Sequence, residues 1–468
     1  MRYVSTRGNA PNLDFADAIL AGLASDGGLY LPESWPQIAP AEIAGFATTP
    51  YAGIAQRVIA PLIGDALPED ELRAIIAGAW SAFGHASVTP LVELEPGHFI
   101  LELFGGPTLS FKDLAMQFLG PLMDRLLAIR DRRTTLVVAT SGDTGSAAIE
   151  AFAGRERIVV VVLHPEGRVS EIQRRQMTTA PGANIHNIAI RGSFDDCQQI
   201  LKAMFGNEAF RERVSLSGVN SINWGRIAAQ IVYYFKAAAS LGAPHRPVAF
   251  TVPTGNFGDI FSGYAALRMG LPIERLVVAT NANDILARTL HSGHYDTHRV
   301  TPTSSPSMDI QVASNFERLL FETTGRDAAA VARMMDGLVQ SGGFALPPDA
   351  LAAIRRNFSA AAASEDETRA TIADVFARSG RLVDPHTAVG VAVARRHLRP
   401  GAAMVTLATA HPAKFPDTVT AATGMIPRLP PSLADLHQRP ERVTVLDNDQ
   451  DAVQRFIAEK SRAGRGSQ

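Results

Sequence analysis

Three times this chain runs from an apolar, β-branched stretch through a turn of small residues into a helical pattern. The first unit is residues 135–139, then Ser141-Gly142-Asp143-Thr144-Gly145, then an alanine-rich stretch to Ala153. The second is 248–252, then Pro253-Thr254-Gly255-Asn256-Phe257-Gly258, then a helix from Asp259 to near Arg268. The third is 404–407, then Ala408-Thr409-Ala410-His411-Pro412, then a helix from Pro416. Residues 158–163 and 276–279 read as further buried strands after the first two helices. Strands that alternate with helices pair in parallel, because each helix carries the chain back across the sheet before the next strand starts. The expected fold class is α/β: two parallel or mixed-sheet lobes flanked by helices, plus an N-terminal subdomain. All three turns lie at carboxyl ends of strands, where such sheets bind ligands.

The 468 residues fit about three domains, or one large two-domain enzyme. Residues 1–88 mix helix and turn and read as the N-terminal subdomain. Residues 89–120 with 226–430 read as the larger lobe and 121–225 as the smaller one. Beyond the breaker from Pro427 to Pro431, residues 431–468 read as a C-terminal helix near 451–460 and a loose tail. Residues 327–380 read as helical throughout. A formal net charge of −2 gives no global pull toward nucleic acid or anionic membrane, yet leaves room for a small anionic substrate. The single Cys197 excludes an internal disulfide, and the His, Cys, Asp and Glu spacings point to no metal site. No apolar run reaches spanning length, and the first residues lack a signal-peptide stretch. A cytoplasmic monomer or homodimer is expected.

Lys112 stands out because the chain has five lysines against 39 arginines. Ser110 and Asp113 have capping-box spacing, which places Lys112 in the first turn of a helix. The partial positive charge there lowers an amine's pKa, and a neutral amine can form a Schiff base with an aldehyde where arginine cannot. The alternative is a plain exposed lysine at a helix start. Gly255 to Gly258 opens a helix after a buried strand, so converging N–H groups and the helix dipole suit a phosphate. It is neither a Walker A loop nor a dinucleotide fingerprint. Ser141 to Gly145 suits a carboxylate or phosphate, with Asp143 asking for a partner that donates a hydrogen bond. Taken singly, each loop is also an ordinary turn. Together, a Schiff-base lysine, a phosphate cradle and a carboxylate loop are what a pyridoxal-phosphate enzyme acting on an amino acid requires.

The chain resembles the longer class of threonine synthase, in the tryptophan-synthase-β-like group of pyridoxal-phosphate enzymes (fold type II). The resemblance is carried by Gly106-Pro107-Thr108-Leu109-Ser110-Phe111-Lys112-Asp113, Ser141 to Gly145 and Asn220-Ser221-Ile222-Asn223. It extends over Pro253 to Asp259, Ser314-Asn315-Phe316-Glu317-Arg318 and Thr409-Ala410-His411-Pro412-Ala413-Lys414-Phe415. Tyr3 to Gly8 and Asp26 to Tyr30 are similar as well, so most of the chain is covered in family order. It implies that Lys112 holds pyridoxal 5′-phosphate and then shuttles protons. The backbone of Gly255, Asn256, Phe257 and Gly258, with Asp259 following, would hold the cofactor's phosphate. Asp143 would lie near its 3′-oxygen and Thr409 would bond its ring nitrogen. Ser141, Gly142 and Thr144 would face the substrate's carboxylate or phosphate. Asn223 and Arg226, then Ser5, Thr6 and Arg7, are the candidates for the substrate's own phosphate. The implied reaction is O-phospho-L-homoserine plus water giving L-threonine and phosphate, a carbon–oxygen lyase reaction that needs no metal.

Lys414 rivals Lys112 on residue type but sits between prolines without a capping signal. Phe257, His386 and His411 read as structural. Asn315 and Arg318 either bind substrate or tie helices together. A dehydratase or β-replacing synthase would share Lys112 and the loops but would not depend on a substrate phosphate. A non-catalytic module would be colourless, and a nucleotide binder lacks the required lysine or acidic partner.

Overall fold

The computed structural model describes residues 1–140 and 142–463. Two sheets carry the architecture. The larger has the order Phe358–Ala362, Ile273–Thr280, Val248–Pro253, Ala403–Ala408, His98–Glu102, Leu91–Glu95. Its first five strands are parallel, and Leu91–Glu95 closes the edge as an antiparallel hairpin partner. The smaller sheet is parallel throughout, in the order Thr444–Asp447, Ile185–Arg191, Ile158–Pro165, Thr134–Ala139, Leu216–Ser217. Every residue of Val248–Pro253, Ile158–Pro165 and Ala403–Ala408 is buried. Helices cover both faces of a parallel sheet, so its central strands are apolar on both sides instead of alternating.

Three expectations need correction. The N-terminal subdomain contains a three-stranded antiparallel sheet, Leu13–Asp14, Arg2–Ser5 and Tyr30–Pro32, too short and irregular to show a period of two. Residues 327–380 are not all helix. Phe358–Ala362 is the edge strand of the large sheet, and Gly343–Ala345 pairs with His294–Asp296. The Phe-Ser-Ala-Ala-Ala strand has no β-branched residue, and its extended state comes from pairing in register with Leu276 to Thr280. Finally, the C-terminal segment does not stand apart. Thr444–Asp447 pairs with Ile185–Arg191, and helix Gln450–Lys460 buries Val453 and Ile457 in one core with Cys197 and Ile200. The expected loose tail falls mostly on 464–468, outside the described residues. Among the described residues no helix is long and apolar enough to cross a membrane.

The N-terminal sheet is anchored on the large lobe. Tyr3 donates to Leu62 O at 2.8 Å and accepts from Trp224 Nε1 at 3.0 Å, at the head of helix Trp224–Ser240. Helix Lys112–Ile129 passes so close to helix Asp143–Phe152 that a Cβ on Gly120 would overlap the carbonyl oxygen of Ala151. The obstacle is backbone, which cannot rotate away. Gly120→Ala is therefore expected to destabilise the protein by about 1–3 kcal/mol, read as a lower midpoint in guanidinium unfolding.

Candidate active site

Lys112 is the first residue of helix Lys112–Ile129, with Phe111 at the cap. The expected capping box does not form. Asp113 is buried and accepts from Thr108 N at 2.8 Å and Thr108 Oγ1 at 2.6 Å, two donors that draw its carboxylate away from the helix cap. Burial pushes its pKa up to about 6 despite those bonds. The loop thus folded is zipped to the end of strand Ala403–Ala408. Phe111 N donates to Thr409 O at 2.8 Å and His411 N to Leu109 O at 3.1 Å. Leu109 adopts a left-handed φ of 61°, so the turn holds a strained residue at this junction. Thr409 is thereby seated next to Lys112, and its hydroxyl has no partner among the described residues.

The largely buried Lys112 Nζ lies 3.8 Å from Asp143 Oδ2 and 4.9 Å from the centre of the Phe111 ring. Burial holds its pKa below the usual lysine value against the pull of Asp143, and Arg226 and Lys414 add repulsion while Asp259 opposes. Asp143 opens the helix that follows strand Thr134–Ala139. Its other oxygen is 2.6 Å from Lys414 Nζ and accepts from Gln173 Nε2 at 2.8 Å. Burial alone would raise this carboxyl's pKa, but Lys414, Lys112 and Gln173 outweigh it and hold it well below the usual range. Thr140 staples the turn, its Oγ1 accepting from Gly142 N at 3.0 Å and Gly145 N at 3.3 Å. The N–H groups of Asp143 and Thr144 have no partner among the described residues. Ser141 lies outside them. Thr140 and Gln173 carry no motif, and nothing in the runs that hold Asp143 and Lys414 marks those two as partners.

The second loop offers the same kind of surface. The N–H groups of Gly255, Asn256, Phe257 and Gly258 have no acceptor among the described residues, at the start of helix Gly258–Arg268. Phe257 has a left-handed φ of 66°, which turns successive N–H groups the same way, and its ring is buried between Phe316 and Phe358. Behind the loop, Asn315 donates to Asn256 O from N at 3.0 Å and Nδ2 at 3.1 Å, and Arg318 in turn bonds Asn315 Oδ1. Both residues tie elements together. His386 supports the other side: its Nδ1 pairs with Asp384 at 2.8 Å and its Nε2 accepts from Ser307 N at 3.2 Å. A Cβ on Gly255 would come within 2.5 Å of Ser307 O. Asp259 is buried, and burial pushes its pKa up to about 6.

The anion candidates separate clearly. Arg226 is buried on helix Trp224–Ser240, yet its guanidinium makes no hydrogen bond or ion pair with any described residue, and Nε is wholly enclosed. Burial brings its pKa down to about 10, with Asp259 opposing. A buried cation without a partner is costly, and a neighbouring anion would offset that cost. Asn223 instead spends its amide on the fold, donating to Ile19 O at 2.9 Å and accepting from Gly225 N at 3.0 Å. Ser5 donates to Asp26, Thr6 to Glu317 at 2.6 Å, and Arg7 grips Glu317 with Nε and Nη2, both at 3.0 Å. Asn223, Ser5, Thr6 and Arg7 thus all have partners within the protein, whereas Arg226 has none among the described residues.

Residues 83–410 match the family described as pyridoxal-phosphate dependent enzyme. Residues 2–80 match the threonine synthase N terminus, and 387–457 the threonine synthase C-terminal region. The threonine synthase of Pseudomonas aeruginosa is 51% identical over 99% of this chain and 100% of its own. The chain belongs to the threonine synthase family. The crystal structure of pyridoxal-phosphate-bound threonine synthase from Brucella melitensis superposes with a TM-score of 0.97 at 56% identity, covering 99% of this chain and all of that one. Threonine synthase from yeast gives 0.93 at 37% identity, covering 98% of each chain. The chain is thus a pyridoxal-phosphate enzyme of fold type II. The residues present fit that group: one loop of free N–H donors for a dianion and a lysine with a weakened hold on its proton. Among the described residues no cluster of three or more His, Cys, Asp or Glu side chains is placed to hold a metal ion.

His411 lies in the same loop as Thr409 and Lys414. Its Nδ1 accepts from Ala413 N at 3.1 Å, and its ring meets Phe104 edge-on at 5.4 Å. Burial brings its pKa down to about 4, with Lys414 adding repulsion and Asp384 opposing. The folded value lies below the unfolded one of about 6.5, so its stabilising contribution is complete above that pH and is lost as pH falls toward 4. Between pH 7 and 5 the native protein should lose on the order of 1–2 kcal/mol more than His411→Asn, which keeps a capping acceptor, in urea unfolding.

Proposed function

We propose that Lys112 carries pyridoxal phosphate in a site that converts O-phospho-L-homoserine and water to L-threonine and phosphate, the last step of threonine formation. The observation that carries this reading is the convergence on one buried amine of an ionised carboxylate, a loop of free N–H donors and an unpaired arginine. When bound, the cofactor supplies an electron sink that acidifies the substrate's α- and then β-hydrogens, so that phosphate leaves from the γ-carbon and water adds at the β-carbon. The Gly255–Gly258 N–H groups hold the cofactor's phosphate at a helix N-terminus, with Asp259 in the same turn. Thr409 gives its hydroxyl to the ring nitrogen, which a neutral group does not force into the protonated form. Asp143 stands at the 3′-oxygen. Gly142 and Thr144, with Ser141, take the substrate's carboxylate.

With the cofactor in place, the Lys112 amine would take the substrate's α-proton on Nζ and donate it again from the same atom, and its weakened proton affinity suits both directions. Arg226 takes the leaving phosphate, charge-assisted and shielded from water. The small anionic substrate accords with a net charge of −2 and a local cation, without a nucleic-acid partner. A cytoplasmic location accords with a lone, buried Cys197, and a monomeric or homodimeric state belongs to the same reading.

Two experiments test these assignments. Borohydride reduction of the loaded enzyme should leave the cofactor on the peptide containing Lys112, and Lys112→Ala should lose the cofactor's visible absorption. Label recovered on Lys414 would overturn the assignment. Arg226→Ala should lower kcat/KM for O-phospho-L-homoserine by about ten- to hundred-fold, the loss of one charge-assisted contact, while affecting slow dehydration of serine much less. An equal loss on both substrates with weaker cofactor retention would move Arg226 to the cofactor's phosphate.

A further inference from the structure

Lys414 has no part in the steps above, yet it is the most enclosed cation of the site. It lies in the turn Pro412–Lys414, just past strand Ala403–Ala408, with a side chain 0% exposed. Its Nζ is 2.6 Å from Asp143 Oδ1 and donates to Thr108 O at 2.8 Å. Thr108 O also accepts from Gln176 Nε2 at 3.1 Å, and Thr108 is fixed in turn by Asp113. The lysine is thus held in one place by groups from both lobes. Asp143 Oδ2 points the other way, 3.8 Å from Lys112 Nζ, so one carboxylate serves two ammonium groups at unequal distances.

That inequality has a chemical consequence. A buried carboxylate takes the best cation within reach, and an amine in a tight ion pair keeps its proton and neither attacks nor abstracts. We propose that Lys414 is a positioning residue: it holds Asp143 as its own partner, so that the Lys112 amine stands beside an ionised carboxylate without being captured by it. This rests on the reading of Lys112 as the cofactor's lysine. The charged groups facing Lys112 are Asp143, Arg226, Lys414 and Asp259, with the Phe111 ring beneath it. Those facing Lys414 are Asp143, Asp113, His411 and Lys112 itself. Of all these, Lys414 is the one joined to Asp143 by a contact shorter than that of Lys112 itself.

The test measures the proton on Lys112 directly. The full-length chain, freed of cofactor, is trace-acetylated with acetic anhydride across a pH series, and the Lys112 peptide is quantified by mass spectrometry. Lys414→Met should raise the pH of half-maximal labelling of Lys112 by about one to three units, because Asp143 turns to it and a repelling charge is gone. Asp143→Asn should lower it. The double variant, lacking both charges, should fall between the two, and Lys414→Arg should stay near wild type. An unmoved or lowered midpoint in Lys414→Met overturns the proposal. If that variant does not fold, Lys414→Gln takes its place, and an unmoved or lowered midpoint there overturns the proposal equally. Labelling of the cofactor-free chain reports on the Lys112 amine whichever lysine the cofactor uses, so failure of borohydride trapping and failure of this cycle are separate results.

Discussion

A carboxylate buried in protein cannot remain ionised by itself, and Asp143 is the buried carboxylate around which this molecule is arranged. It extends from the smaller sheet, whereas Lys414 extends from the larger, and their ion pair is a point where the two lobes meet. Such a pair adds little net stability, but removing one partner leaves an uncompensated charge that costs about 3–5 kcal/mol. The geometry between the sheets is therefore fixed by electrostatics as well as by apolar packing. Gln173 and Gln176, both on helix Glu171–Thr178, brace the same junction from the smaller lobe.

The parallel sheets explain why the remaining parts gather there. The parallel strands deliver their carboxyl ends to one side of each sheet and the helices that follow begin there, so partial positive charge accumulates at the site without any side chain. Two non-glycine residues in left-handed conformation, Leu109 and Phe257, shape the loops on either side. Each such residue costs of order 1–3 kcal/mol, offset for Phe257 by a ring locked between Phe316 and Phe358. Strain of this kind persists only where the surroundings determine it, and here they do so next to the chemistry.

Much of this was readable from the chain. The strand, turn and helix units at 135–153, 248–268 and 404–416 are set by local composition and appear within a residue or two. Lys112 was legible because lysine is scarce, and the glycine loops because their neighbours are strongly apolar. What escaped depends on distant partners. Phe358–Ala362 is a strand only because another strand offers it hydrogen bonds, and Asp113 caps nothing because Thr108 offers better donors. Arg7 and Arg226 look equivalent as letters. One is tied to Glu317 and the other stands unpaired in the interior, a difference that arises only from packing.

The pairing of Thr444–Asp447 with Ile185–Arg191 has a consequence for how the molecule is made. The smaller sheet receives its last strand from the end of the chain, after the whole larger lobe has been synthesised. At about 5–20 residues per second, the strand Ile185–Arg191 waits on the order of tens of seconds on the ribosome with one row of N–H and C=O groups unpaired. The nascent smaller lobe is thus an open β-edge until residues 444–447 have emerged and paired with it.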